Sequence, residues 1–227
     1  MQRSIIKKSI GMMLIITIVT VLSGCSILGG FDAPEYVKAI LDQHLKGDIR
    51  EASKLIEDSS KADLKNQYED VITDFVQNAF TSQFLVDEAL EKQYVALCKK
   101  IFSNLKYEVK DAKKISATEY EVNVAFQSVD IFQTFEQAIM DDSRRLVAKA
   151  SNGEYKGTKD EITNQMLAEL AKDSYIALKA SYENATLGEK EIYTFKVISK
   201  DKKVFEVSED DMAGFIMKIL RLDGIQD

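Results

Sequence analysis

The chain has 227 residues, with 30 basic and 37 acidic side chains, a net charge of −7 and 45% hydrophobic residues. This length predicts one domain, and the apolar content is ample for a packed core. An acidic chain without a dense basic cluster is a poor phosphate ligand, so we expect no nucleic acid partner.

The first 24 residues have the layout of an export signal. Arg3, Lys7 and Lys8 form a basic leader, and no acidic residue precedes Cys25. Residues 10–22 are almost wholly apolar, but the run is shorter than the roughly 20 residues that a membrane-spanning helix needs. It therefore predicts the hydrophobic region of a secretory signal peptide.

A four-residue motif, Leu22-Ser23-Gly24-Cys25, ends this apolar run. It resembles the lipobox of bacterial lipoproteins. The resemblance implies that Cys25 takes a diacylglycerol with fatty chains such as palmitate, and that the signal is cleaved between Gly24 and Cys25. It also implies a lipid-anchored protein on the extracytoplasmic face of the bacterial cell membrane. The alternatives are an ordinary signal peptide and an uncleaved anchor helix.

Cleavage would leave a short tether, residues 25–33, before a single globular domain, residues 34–227. At about 3.5 Å per residue, the tether reaches on the order of 30 Å, so the domain is expected to stay close to the bilayer. The mature chain retains 27 basic and 37 acidic residues, a net charge of −10. That charge disfavours adhesion to anionic lipid, which leaves the acyl chains as the anchor.

Apolar residues at three- and four-residue spacing predict that the domain opens with helices. A first helix starts at Pro34, a short one lies around residues 49–56, a third starts at the capping residue Ser60, and a fourth at Asp87.

Beyond residue 106 the apolar period changes to two, which predicts two β-hairpins. Asp130 and Thr158 begin two helices between the hairpins, and a last helix runs from Ser208 to a stop at Gly224. We expect an α+β fold, with a four-stranded antiparallel sheet covered by helices on its apolar face. The predicted strand cores are residues 107–109, 120–126, 193–197 and 205–207.

The opening of the domain carries a second resemblance. A helix, then Leu45-Lys46-Gly47-Asp48, then a short helix with Ala52 and Leu55 resembles the start of the nuclear-transport-factor-2-like superfamily. The similarity covers residues 34–57. It implies a curved sheet that forms a cone with a pocket, as in small bacterial lipoproteins of unknown function.

Two residues qualify as candidates for catalysis. His44, the one histidine of the chain, falls on the apolar side of its helix, which favours a partly buried, hydrogen-bonded histidine over a general base. Cys98 shares a face with Tyr94 and Ile101, which favours an inert core thiol without a disulfide partner. The sequence leaves open the hypothesis of a Cys98–His44 catalytic dyad, but it assigns no catalytic residue.

The sequence predicts neither a metal nor a cofactor. One histidine and one free cysteine exclude the common zinc sets. Asp141-Asp142 and Glu209-Asp210-Asp211 lack the ligand spacing of a calcium loop, and the second cluster fits the positive end of a helix dipole. Arg144-Arg145 fits a solvated helix face better than an anion site.

These observations leave three hypotheses. The first is a non-enzymatic lipoprotein that binds a small-molecule ligand, in an apolar cavity under the sheet, or a neighbouring envelope protein, through an exposed apolar patch. The second is a small hydrolase or isomerase with a cone-type pocket, which needs a buried carboxylate near His44 or a tyrosine. The third is the solute-binding component of a transporter.

Overall fold

The computed structural model describes residues 31–55, 60–82, 86–201 and 204–223. The predicted signal segment, the Leu22-Ser23-Gly24-Cys25 motif with its expected cleavage and lipid-attachment site, and the predicted helix stop at Gly224 lie outside these residues.

In the described part of the chain, four helices precede the sheet. They are α1 (Ala33–Lys46), α2 (Ala52–Leu55), α3 (Lys61–Val76), which continues as a π-helical turn (Gln77–Thr81), and α4 (Glu88–Ser103). The caps of α3 and α4 follow the sequence. The Ser60 hydroxyl accepts from the Asp63 backbone N–H, and the Asp63 carboxylate accepts from the Ser60 N–H, which completes the predicted capping box. The Asp87 carboxylate caps α4 by accepting from the Leu90 N–H at 2.8 Å.

One four-stranded antiparallel sheet, in the order β1-β2-β3-β4, forms the second layer. Its strands are β1 (Lys106–Lys114), β2 (Glu119–Val129), β3 (Leu187–Asp201) and β4 (Val204–Val207). The predicted α+β class with two hairpins is confirmed. β3 starts six residues before the predicted Tyr193 because its pairing with β2 extends to Leu187, along a polar stretch that has no apolar alternation.

A helical hairpin is inserted between the two central strands. It consists of α5 (Ile131–Ser151) and α6 (Lys159–Glu183), which pack against each other. Thr158 and Glu161 form the predicted capping box of α6. Asp130 does not cap α5 with its side chain; its carboxylate accepts instead from the Thr186 backbone N–H at 2.8 Å. This bond ties the two ends of the inserted hairpin together where they leave the sheet.

The main core lies between the apolar face of the sheet and the helices. α1 and the last helix, α7 (Glu209–Ile219), contact the sheet directly. α3 and α4 pack outside α1, and α4 also contacts α6. The Tyr94 hydroxyl of α4 donates to the Ala171 carbonyl of α6 at 3.0 Å, which fixes the helical hairpin to the rest of the domain.

Residues 31–33, which the sequence assigns to the tether, contact the domain. The Phe31 ring stacks on the Phe205 ring of β4 with centroids 3.6 Å apart. Ala33 is buried and begins α1. The folded body therefore includes Phe31.

Candidate functional site

His44 is buried more completely than its sequence pattern predicted. Its side chain is 3% exposed, and neither ring nitrogen has a hydrogen-bond partner among the described residues. The prediction that His44 is hydrogen-bonded is therefore wrong within the described residues. In particular, His44 forms no hydrogen bond with Cys98. Burial lowers the pKa of His44 to about 4, so the imidazole is neutral at physiological pH.

Cys98 is the core cysteine that its helix face indicated. The side chain is fully buried, and burial raises the pKa of its thiol well above the ordinary value. A protonated thiol without solvent access is a poor nucleophile.

An aromatic ring from α7 packs on the apolar face of the sheet. Phe215 is fully buried, and its centroid lies 5.3 Å from the Phe195 ring and 5.4 Å from the Phe126 ring. Tyr193 completes the contact at 5.6 Å. Aromatic packing thus fills this part of the space between the sheet and α7.

Two tyrosine–carboxylate pairs meet the distance criterion of the enzyme hypothesis. In the first, the Tyr107 hydroxyl donates to Asp42 Oδ1 at 2.7 Å. Burial opposes ionisation of Asp42, but hydrogen bonds from Lys38, Lys46 and Tyr107 hold its pKa below the ordinary value. Burial and the Asp42 hydrogen bond raise the pKa of Tyr107. At neutral pH the pair therefore consists of an ionised Asp42 carboxylate and a protonated Tyr107 phenol.

The second pair is Tyr155 and Glu169. Glu169 lines a groove between α5 and α6, which we call the hairpin groove. Its open volume is about 440 Å³, within the range of small binding sites. Four charged and three apolar side chains line it, and one of the apolar ones, Ile176, is 62% exposed. The lining residues are Asp142, Arg145, Glu169, Asp173, Ile176, Ala177 and Ala180.

Arg145 joins the two helices at the groove. Its guanidinium donates to Asp142 Oδ1 of α5 at 2.7 Å, to Glu169 Oε1 of α6 at 2.9 Å and to Asp173 Oδ2 of α6 at 2.5 Å. Arg144, its neighbour, is exposed and pairs only locally with Asp141 at 2.8 Å. Both arginines are exposed, as the helix face predicts, but helical spacing alone does not reveal the partners of Arg145 on α6.

Glu169 is the most connected carboxylate of the groove. It accepts from Arg145, from Lys149 Nζ at 2.7 Å and from the Tyr155 hydroxyl at 2.7 Å. Hydrogen bonds from Lys149, Tyr155 and Arg145 lower its pKa to about 2. Burial and the charge of Asp142 raise the pKa of Asp173 instead. Of these two carboxylates, Asp173 is thus less neutralised by its neighbours than Glu169 is.

The acidic cluster at residues 209–211 is part of the fold. These residues occupy the first turn of α7, where carboxylates complement the helix dipole. Asp211 Oδ2 also accepts from the Lys196 backbone N–H of β3 at 2.9 Å, a long-range bond that sequence spacing did not predict. Among the described residues, no three His, Cys, Asp or Glu side chains are grouped as metal ligands.

Comparisons with known proteins point to one structural relative. Neither a protein-family model nor a curated protein matches the sequence. The crystal structure of ycdA from Bacillus subtilis, described as a lipoprotein, aligns with a TM-score of 0.50 at 17% identity. The alignment covers 82% of this chain and 54% of ycdA, so the chain spans about half the length of that protein.

No helix within the described ranges has both the length and the apolarity to cross a membrane. At 17% identity, the likeness to ycdA concerns the fold. The chain therefore has an α+β fold similar to that of ycdA.

Proposed function

We propose that this chain is a bacterial lipoprotein, held on the extracytoplasmic face of the cell membrane by a diacylglycerol on Cys25. Its domain is a non-enzymatic module that binds a neighbouring envelope protein through the hairpin groove. The anchor rests on the basic leader, the short apolar run and the Leu22-Ser23-Gly24-Cys25 motif. The fold of ycdA, described as a lipoprotein, is consistent with it.

The hairpin groove is the observation that carries the binding role. It is open along the surface and combines an exposed isoleucine with charged side chains, as the rim and anchor of a protein interface do. Asp142, Glu169 and Asp173 outnumber the cations Arg145 and Lys149 around it. The partner chemistry that fits is a lysine or arginine next to an apolar side chain.

The chemistry of the two tyrosine–carboxylate pairs and of His44 supports binding rather than catalysis. A general acid or base works best with a pKa near the operating pH. The Tyr107–Asp42 and Tyr155–Glu169 pairs instead couple a carboxylate of lowered pKa with a phenol of raised pKa. His44 is neutral and shielded from solvent. A small apolar ligand is less favoured, because Phe215 packs on the apolar face of the sheet.

The anchor is tested by replacing its sulfur. We expect the parent protein to fractionate with membranes and Cys25→Ser to lose both signal processing and membrane association. Without the thiol, the protein lacks both acyl chains of the diacylglycerol. Insertion of these chains into the membrane contributes about 0.8 kcal/mol per buried CH₂ group. A Cys25→Ser protein that is processed and sediments like the parent would refute the anchor.

The groove is tested by crosslinking in intact cells, with a photoreactive residue in place of Ala180. We expect a discrete adduct that Ile176→Asp and Asp173→Lys each remove. Ile192→Asp is the matched control, because Ile192 is 59% exposed but lies on the sheet. An adduct equally reduced by the control, or unaffected by both groove variants, would count against the groove.

A further inference from the structure

We propose that the sheet end carrying the β1–β2 turn, residues 115–118, faces and contacts the lipid surface. We call this region the turn end. The inference rests on lipid attachment at Cys25, as given in the proposed function. It adds an orientation of the domain and names the side chains that meet the bilayer.

Phe31 fixes the place at which the tether leaves the domain. Its ring stacks on Phe205 at 3.6 Å and lies 5.5 Å from the Tyr120 ring and 5.3 Å from the Tyr36 ring. The Tyr36 hydroxyl donates to the Phe205 carbonyl at 2.5 Å, which joins α1 to β4 at the same point. Four aromatic rings thus hold the exit of the tether at the turn end.

The free tether is short. Six residue steps separate Cys25 from Phe31, which span at most about 22 Å when fully extended. Because the lipid-bearing residue lies at the bilayer surface, Phe31 stays within that distance of the headgroups. The turn end is therefore the part of the domain with continuous access to lipid.

The turn end carries side chains suited to the headgroup layer. Ile115 is 42% exposed, and Lys113 and Lys114 beside it are exposed, whereas Glu119 and Glu121 are half-buried. Lysine stems extend along apolar surface and bring their charge to the phosphate level. The Ser199 N–H of β3 donates to the Thr118 carbonyl at 2.8 Å, which holds the turn against the neighbouring strand. The turn and the end of β1 thus expose an isoleucine and two adjacent cations, although the mature chain is acidic.

The opposite end of the sheet is where the helical hairpin begins. β2 runs from Glu119 at the turn end to Val129, a distance of about 33 Å at 3.3 Å per residue. α6 ends at Glu183, four residues before β3 begins at Leu187. Ile176 and Ala180 of the hairpin groove lie within the last two turns of α6, away from the bilayer. The orientation leaves the groove open to a neighbouring protein.

The experiment places one reactive thiol at each end of the sheet in the full lipidated protein. Ala117→Cys lies in the turn, and Asn184→Cys lies in the exposed turn between α6 and β3; Cys98 is buried and Cys25 is acylated. Each variant is labelled with an environment-sensitive fluorophore. It is then reconstituted into vesicles of phosphatidylethanolamine and phosphatidylglycerol that contain a nitroxide-headgroup lipid.

We expect the probe at position 117 to be quenched about twofold more than the probe at 184, because interfacial groups sit within roughly 5–10 Å of the headgroup boundary. Equal quenching, or stronger quenching at 184, would overturn the orientation. A probe at 117 that becomes shielded from an aqueous quencher without lipid quenching would also overturn it, since another protein would then cover the turn.

Fractionation of the unlabelled protein separates this inference from the proposed function. If the parent does not bind membranes, or if Cys25→Ser binds equally well, the anchor fails and the orientation fails with it. If anchoring holds and the two probes are quenched equally, only the orientation fails.

Discussion

The sheet and α6, the second helix of the inserted hairpin, bury different kinds of side chain. Under the sheet, Phe126, Phe195 and Phe215 form one aromatic cluster. α6 buries mainly small residues and is joined to α5 by ion pairs. Apolar burial stabilises a fold without leaving groups for recognition, whereas a polar, partly exposed interface keeps charged side chains within reach of a partner. Under the proposed function, the sheet therefore contributes mainly stability and the exposed face of α6 contributes recognition.

The largest expected effect is on the aromatic cluster. Phe215→Ala removes a fully buried ring that contacts three strands' aromatic residues, and should lower the free energy of unfolding by about 3–5 kcal/mol. Urea denaturation followed by circular dichroism measures the change. Ile176→Ala, at an exposed position of the hairpin, should change it by less than about 0.5 kcal/mol. Comparable losses in both variants would contradict the division between the two regions.

The pH dependence of stability should report on His44, in the helix that packs on the sheet. The imidazole takes up a proton near pH 6.5 when unfolded but only near pH 4 when folded. The unfolded state therefore binds more protons between these values, and stability falls by up to about 3 kcal/mol as the pH drops from 7 to 4.

His44→Leu removes this titration and serves as the matched variant. The difference in free energy of unfolding between parent and variant should change with pH over this window, in favour of the variant as the pH falls. A difference that stays constant from pH 7 to 4 would show that His44 does not titrate as its burial implies.

A smaller effect is expected at Gly47, which ends α1. Its φ of 65° is left-handed, and an added Cβ would lie 2.6 Å from the Tyr68 ring. Gly47→Ala should lower the free energy of unfolding by about 1–3 kcal/mol through strain and this contact.

Gly153 in the loop of the hairpin provides the control. Its φ is 71°, but a Cβ there would meet its nearest atom, Lys156 Nζ, at 3.9 Å. Gly153→Ala therefore carries the backbone strain alone and should cost less than Gly47→Ala. Equal thermal unfolding shifts would show that the Tyr68 contact is relieved without cost.

The smallest expected effect on stability is at the hairpin groove. Arg145→Gln breaks three ion pairs, but the Arg145 side chain is 44% exposed, so the loss should be below about 1 kcal/mol. Salt should weaken the effect further, because exposed charges are screened. A loss as large as that of Phe215→Ala would show that the hairpin depends on its charges for folding.

Local patterns predicted most of the fold and little of the candidate site. The caps at Ser60 and Thr158 lie within three residues of their partners, so short-range spacing reveals them. The groove combines Arg145 with Glu169 and Asp173, which lie 24 and 28 residues further along the chain. No local sequence periodicity predicts these contacts, because they depend on how α5 and α6 are aligned.

The sequence by itself determined the α+β class, the order of its elements and the buried state of Cys98, since these follow from helix and strand periods. It also predicts an export and lipid-attachment motif, because that signal consists of consecutive residues. Only the tertiary structure decided that Phe215 packs on the apolar face of the sheet, that Arg145 joins two helices, and that Phe31 packs beside the β1–β2 turn. Each of these depends on side chains far apart in the chain, whose distances are set by packing and not by spacing.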